Sequence, residues 1–260
     1  MSNGTADIAL SYIITSSPRT GSYLLCEGLQ ATGIAGLPTE PFCSQYREEF
    51  CRVWRLPPNP AFPDFLRTVK QQCTTSNGVF GVKVHWIQLQ TLIRESGFPG
   101  RCDGVLEHLF PGAKYIHLKR RDRRAQAISY FRALATNEWW RIEGVRNHQI
   151  TGTSPAFDST AIRFLASELE SQQLAWRRLF ASNKLQPLII EYEDLAENYR
   201  VEIGRALSYL GLSPTAAETI PPPRLLPQAD ETTDLWRDWL DAEDCGKEMT
   251  PYGRVSEPSA

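Results

Sequence analysis

Apolar positions along the chain fall into two rhythms. Residues 8–15 carry Tyr12, Ile13 and Ile14 without polar alternation, the pattern of a strand buried on both faces. The polar stretch Ser16-Ser17-Pro18-Arg19-Thr20-Gly21-Ser22 follows. Leu24, Leu25, Gly28 and Leu29 then recur at helical spacing, and Gly33 stands where a helix stops. The chain thus opens as strand, polar loop, helix. Further strands are predicted over 79–84, 114–118 and 188–192. Helices are predicted over 122–135, over 160–180 (Ile162, Leu165, Leu169, Trp176 and Leu179 on one face) and over 199–210, stopped by Gly211.

Strands alternating with helices predict an α/β fold with a P-loop-like start. Its sheet is mostly parallel and covered by helices on both faces. Two proline-rich stretches break the rhythm. One holds Pro57, Pro58, Pro60 and Pro63, and the other Pro214, Pro221, Pro222, Pro223 and Pro227. Both read as surface loops, because too little chain lies beyond either to build a second core. The expectation is a single domain over 1–260, with loop insertions near 43–65 and an irregular C-terminal tail near 213–260.

Composition narrows the function classes. The chain has 260 residues, 42% hydrophobic and 22% charged, with a formal net charge of -2. No whole-molecule basic field draws nucleic acid or an anionic membrane, so anion binding must be local. No apolar run approaches the roughly 18 residues of a membrane span. The N-terminus has no basic start followed by an apolar core, so a cytoplasmic protein is expected. None of the six cysteines (Cys26, Cys43, Cys51, Cys73, Cys102, Cys245) forms a C-x-x-C pair, and reduced structural thiols are expected. His85, His108, His117 and His148 are scattered, and no metal site is expected.

Two loops carry candidate chemistry. A strand, a glycine-containing loop and a helix N-terminus form a built-in anion site, because unpaired N–H groups and the helix dipole face the ligand. Arg19 adds a fixed cation, and Ser17, Thr20 and Ser22 add hydroxyls. The loop lacks the G-K-[ST] ending of nucleotide-triphosphate loops. It also reads as an ordinary strand-to-helix turn with a Ser N-cap. The second loop, Lys119-Arg120-Arg121-Asp122-Arg123-Arg124, holds five cations in six residues. A helix N-terminus is the wrong end for cations unless an anion neutralises them. Ser129 lies about two turns into the helix, and a guanidinium with a hydroxyl suits phosphate. Two such sites at strand C-termini fit a ligand with two separated anionic groups. The bland alternative is a solvated helix start.

These residues resemble the sulfotransferases that use 3'-phosphoadenosine 5'-phosphosulfate. Ser17 to Ser22 is similar to their 5'-phosphosulfate loop, and Arg121 to Ser129 to their 3'-phosphate site. Tyr192-Glu193-Asp194-Leu195 is similar to a Y-E-D-L that follows a late strand. The resemblance is closest to the bacterial family typified by trehalose 2-sulfotransferase. It is carried by Gly33-Ile34-Ala35-Gly36 with Pro38-Thr39-Glu40-Pro41-Phe42, by Gly78 to Trp86, by Gln126-Ala127-Ile128-Ser129 and by Gln228-Ala229-Asp230. It runs from about residue 10 to 240. Pro227 departs from the arginine that the family places before Gln-Ala-Asp.

The resemblance implies sulfuryl transfer from 3'-phosphoadenosine 5'-phosphosulfate to a carbohydrate hydroxyl, on a trehalose-like sugar or glycolipid. It makes Glu40 the base. Arg19 would stabilise the leaving phosphate beside Ser17, Thr20, Gly21, Ser22 and Tyr23. Arg120 or Arg121, with Ser129, would hold the 3'-phosphate. Lys83 would reach the sulfuryl group, or is a snorkelling lysine. Trp86, Trp139 and Trp140 are candidates for stacking on a sugar, or core residues. No metal is required, since cations and amides neutralise the donor. The expected partners are small molecules, with no nucleic acid and no membrane span, and a homodimer is left open. The alternatives are a sulfotransferase for a lipopolysaccharide or a non-sugar alcohol, a P-loop nucleotide kinase and a non-catalytic binding module.

Overall fold

The computed structural model describes residues 7–100, 102–142, 144–145 and 155–246; His148 and the tail beyond 246 lie outside them. Two compact units form within this range. One is drawn from residues 1–121 and 171–223, the other from 122–170 and 224–260.

The first unit holds a four-stranded sheet, β1 (Leu10–Ser16), β2 (Val79–His85), β3 (Lys114–Lys119) and β4 (Leu188–Glu191), in the order β2-β1-β3-β4. All three pairings are parallel, as expected. Strand alternation splits β1 between two cores. Tyr12 and Ile14 join Leu25, Leu29, Ile203 and Leu207 of α1 (Ser22–Ala31) and α9 (Tyr199–Leu210). Ile13 joins Phe65, Val82, Leu92, Val105 and Trp176 on the other face. The α/β reading with helices on both faces holds.

One packing chain sets the geometry of the site. Tyr12 pairs with Gly81 across the sheet. A Cβ on Gly81 would stand 2.4 Å from the Tyr12 ring, so glycine makes room for it. The Tyr12 hydroxyl donates to the Ala35 carbonyl at 2.6 Å. Gly36 has φ 72° and lies so close to β2 that a Cβ would come 2.8 Å from the Gly81 nitrogen. Only glycine serves there. The Lys83 N–H then donates to the Thr39 carbonyl at 2.8 Å. The 35–40 segment is thereby laid along β2.

The 43–65 segment differs from the expected loop. A 3₁₀ turn at Ser44–Tyr46 leads into α2 (Arg47–Val53), and α3 (Phe62–Gln72) begins with Pro63 in its first turn. Proline is tolerated there because that N–H has no intrahelical partner. Cys51, Phe65 and Val69 are buried. Helices α4 (Leu89–Ser96) and α5 (Cys102–Leu109) follow before β3.

The second unit contains α6 (Arg123–Thr136), the first part of α7 (Ser159–Ser182) and α10 (Glu231–Asp244). Ala127, Ile128, Ile162, Leu169, Trp236 and Leu240 form its core. The tail read as irregular thus carries a fourteen-residue helix, since no proline falls between Pro227 and Pro251 and Trp236 and Leu240 stand there at helical spacing. Between β4 and α9 lies the short α8 (Tyr192–Glu197). Among the described residues no helix is long and apolar enough to cross a membrane.

Asp230 explains the Gln-Ala-Asp segment. It caps α10 by accepting from the Thr233 N–H at 3.1 Å, and it takes both Arg132 terminal nitrogens at 2.7 Å. The Arg132 bond and the cap hold its carboxyl down at about 2. Asp230→Ala is expected to cost about 1 kcal/mol through the lost cap. A thermal melt should move down by about 2–4 °C. An unmoved melt would show that the cap contributes nothing.

Candidate active site

The first loop is built by backbone. Arg19 has φ 63°, in the left-handed region, and Gly21 has φ 75°. Alternating conformations of this kind turn successive N–H groups toward one point, a concavity suited to an anion. The Thr20 hydroxyl donates to the Ser17 carbonyl at 3.0 Å and ties the loop across. Ser17, Thr20 and Ser22 are buried. The Ser cap of the ordinary-turn alternative is not found: Gly21 is the N-cap of α1, with no side-chain cap hydrogen bond. A Cβ at Gly21 would strike the Tyr192 ring at 2.3 Å, which leaves glycine as the fitting residue.

The second loop differs from its sequence reading in what neutralises it. Lys119 pairs with Glu191 at 2.7 Å. The Arg121 guanidinium donates to Asp194 at 2.6 and 3.1 Å, and its N–H donates to Glu193 at 3.0 Å. Arg124 pairs with Asp241 and Asp244. Carboxylates of the chain itself therefore meet Lys119, Arg121 and Arg124, three of the five cations in the run. Arg120 turns the other way. Its guanidinium lies 4.7 Å from the Tyr192 ring centroid and donates to the Arg19 carbonyl at 3.3 Å. Tyr192 thus backs Gly21 and Arg120, Glu193 and Asp194 hold Arg121, and Leu195 is buried in the core.

Glu40 departs furthest from an ordinary surface carboxylate. It is 5% exposed, and Lys83, on the neighbouring strand, is 0% exposed. Lys83 Nζ lies 2.5 Å from Glu40 Oε2, 3.4 Å from Ser22 Oγ and 3.5 Å from the Tyr23 ring centroid. Lys83 is therefore no snorkelling lysine. Gln88 Nε2 donates to Glu40 Oε1 at 2.6 Å. His85 Nε2 stands 3.4 Å from the same oxygen, and His85 Nδ1 is 3.0 Å from Ser16 Oγ. Burial raises the Glu40 carboxyl, but Lys83, His85 and the bond from Gln88 outweigh it, and the net is a fall to about 2. Burial pushes His85 down to about 4, with Lys83 adding to the fall and Glu40 opposing it. At neutral pH Glu40 is thus a carboxylate and His85 a neutral imidazole.

A family model described as Stf0 sulphotransferase matches residues 11–243. The chain belongs to the Stf0 sulphotransferase family. A trehalose 2-sulfotransferase of Mycolicibacterium smegmatis is 30% identical over 262 residues, covering 89% of this chain and 94% of the relative. One of Mycobacterium tuberculosis is 31% identical over 261 residues, with the same coverage. The crystal structure of a sulfotransferase from Alicyclobacillus acidocaldarius aligns at TM-score 0.46 and 14% identity, over 91% of this chain and 92% of that one.

In this sulphotransferase the first unit brings together Ser17, Arg19, Thr20, Gly21, Ser22, Tyr23, Glu40 and Lys83, with Arg120 at the Arg19 carbonyl. Trp86 packs edge-on to Trp176 at 5.1 Å between centroids, against the core. Ser129, Trp139 and Trp140 belong to the second unit, where the Trp139 indole donates to Asn137 at 2.8 Å. Sequence reading missed Ser16, His85 and Gln88. Two signals were there. His85 follows Lys83 by two strand positions and so shares its face. Gln88 stands three residues after His85, the spacing of a capping box, and accepts from the His85 N–H at 3.0 Å.

The burial of His85 has a pH signature. Its folded value of about 4 lies below the ordinary 6.5, so between these values the unfolded chain binds the extra proton. Stability therefore falls as pH drops from 6.5 to 4. Glu40, lowered from 4.5 to about 2, extends the loss to lower pH. Urea unfolding at pH 7, 5.5 and 4.5 should show the decline, and His85→Gln should flatten it by about one proton. Equal slopes in both proteins would mean that His85 is not held neutral.

Proposed function

We propose that this sulphotransferase passes the sulfuryl group of 3'-phosphoadenosine 5'-phosphosulfate to a hydroxyl of trehalose or a similar sugar or glycolipid, with Glu40 as base. The observation that carries the reading is the Lys83 ammonium, which touches Glu40 at 2.5 Å and Ser22 of the first loop at 3.4 Å. One buried cation joins the candidate base to the candidate donor site. The sugar acceptor rests on the two relatives that are trehalose 2-sulfotransferases.

The chemistry is positioning and charge stabilisation, as in phosphoryl transfer. Glu40 takes the proton of the attacking hydroxyl. The new S–O bond forms, the bridging S–O bond breaks, and its electron pair leaves with the 5'-phosphate. Arg19 and the N–H groups of Thr20, Gly21 and Ser22 meet that charge. A carboxyl near 2 is a weak base at rest. Two effects help it. The hydroxyl becomes acidic as its oxygen bonds to sulfur, and sulfuryl oxygens draw Lys83 away from Glu40. No metal is called for in this scheme, because fixed cations and amides do the neutralising.

Arg120 is the stronger choice for the 3'-phosphate. Its guanidinium faces the Arg19 carbonyl, whereas that of Arg121 is taken up by Asp194. Ser129 is assigned beside it by resemblance alone. Trp139 and Trp140 keep their place as sugar-stacking candidates from the sequence.

Glu40→Gln should bind adenosine 3',5'-bisphosphate as the wild type does and transfer labelled sulfuryl to trehalose at least roughly 100-fold more slowly. Wild-type transfer by this variant would exclude Glu40 as base. Bisphosphate binding by calorimetry, in chelator, separates the two arginines. Arg120→Ala should weaken it by about 10- to 100-fold, the loss of one charge-assisted hydrogen bond of about 1.5–3 kcal/mol. Arg121→Ala should change it little. The reverse order would move the 3'-phosphate to Arg121.

A further inference from the structure

Tyr23 touches Lys83 and has no task in the proposed transfer. It stands in the first turn of α1, directly after Ser22, while Lys83 stands in β2. Lys83 is fully buried, so the groups around its Nζ decide where the cation can rest. Glu40 Oε2 is 2.5 Å away, Ser22 Oγ 3.4 Å and the centroid of the Tyr23 ring 3.5 Å. These three contacts differ in kind. Glu40 is a close ion-pair partner. Ser22 is farther than a usual N–H···O bond. The ring attracts a cation through the negative potential of its face, over a range of positions and with no single N–H aimed at it. Lys70 and Lys114 also stand over rings, but at 5.5 Å from the centroids. The ring is therefore the support that persists when Nζ turns from Glu40 toward the donor loop.

We propose that Tyr23 is a positioning residue whose ring face holds the Lys83 cation between Glu40 and the donor loop, and keeps it there when sulfuryl oxygens draw it from Glu40. The proposal rests on the reading of this site as one of sulfuryl transfer with Glu40 as base. During transfer Lys83 exchanges one anionic partner for another, and no covalent bond to Nζ forms or breaks. A hydrogen-bond acceptor in the place of the ring would tie up an N–H that the exchange needs. An aliphatic side chain there would leave Nζ without support on that side. Tyr23 acts through Lys83 and is assigned no contact with the sugar. Its hydroxyl is bonded to Tyr46, so a task for the hydroxyl is the rival explanation.

Two experiments test this. The first needs no acceptor: ¹H–¹³C correlation on the ¹³C-lysine-labelled full chain, with the Lys83 signal identified as the one lost in Lys83→Arg. Protons above an aromatic face are shifted upfield, so the Lys83 ε-methylene should lie upfield of the other lysines. It should stay there in Tyr23→Phe and move to the ordinary range in Tyr23→Leu. It should also stay upfield in the wild type when 3'-phosphoadenosine 5'-phosphosulfate is added. A signal unmoved by Tyr23→Leu, or one that leaves the upfield range on adding donor, overturns the proposal. The second is single-turnover transfer to trehalose by Tyr23→Phe and Tyr23→Leu, checked by melting and by calorimetric binding of adenosine 3',5'-bisphosphate. Phenylalanine removes the hydroxyl and keeps the face, whereas leucine removes both. Tyr23→Leu should be slower than Tyr23→Phe by about tenfold or more, with the bisphosphate affinities of the two within about threefold. Equal rates would assign any loss to the hydroxyl and overturn the proposal. So would a loss in Tyr23→Leu that persists in full when Lys83→Gln is already present, since residues in contact are not additive. If Glu40→Gln is slow while the two Tyr23 variants agree, the proposal fails and the base reading stands. If Glu40→Gln is silent while Tyr23→Leu alone is slow, the base reading fails and the hold of the ring on Lys83 stands.

Discussion

A carboxylate and an ammonium taken out of water together are the constraint around which the first unit is arranged. Burying Glu40 and Lys83 costs several kcal/mol per ion, and their attraction offsets this only when geometry and extra hydrogen bonds are good. The surroundings supply them. Gln88 takes one carboxylate oxygen, Lys83 the other, and the ammonium also meets Ser22 and the Tyr23 ring. An apolar pair would fill the same space at lower cost. A charge in the middle of Val79–His85 makes sense as chemistry, and the fold is built to hold it. Tyr12 over Gly81, Ala35 on Tyr12 and Gly36 against β2 fix the register that sets Thr39 and Glu40 beside Lys83.

That dependence explains how much could be read from the chain in advance. The strands were legible because a sheet buried on both faces leaves unbroken apolar runs, and α1 and α9 because glycines follow them. The first loop was legible for the same local reason: strand, glycine and helix are consecutive. Glu40 was reachable only through resemblance, because its burial comes from a long-range partner forty-three residues away in sequence. Proline density misled twice. Pro63 sits in a helical first turn, and the helix at Glu231–Asp244 lies beyond the Pro214–Pro227 cluster.

The run from Lys119 to Arg124 shows why charge patterns resist local reading. In sequence it is five cations at the wrong end of a helix. In the structure Glu191, Glu193 and Asp194 meet Lys119 and Arg121, and Asp241 and Asp244 meet Arg124. These carboxylates are far along the chain, so no window of sequence contains the compensation. Two neighbours with the same side chain then divide the work. Arg121 fastens the strand end to the Y-E-D-L turn, while Arg120 is turned to the Arg19 carbonyl.

On the proposed reading of Glu40 as base, charge accounting joins the ion pair to catalysis. The Glu40 carboxylate is ion-paired with Lys83 and the His85 ring beside it is neutral, a paired arrangement that lowers the cost of burial. The low proton affinities of both Glu40 and His85 express the same fact, since any proton added takes the cluster to a net positive charge in a place with little water. Such a charge becomes tolerable when an anion stands against it. Lys83 reaches Ser22, so an anion in the first loop would stand against the cluster itself. On that reading Glu40 would be poor as a base alone and adequate beside a bound donor. The site would then take few protons from water in the donor's absence, and its proton affinity would rise in the state where transfer to a hydroxyl can follow.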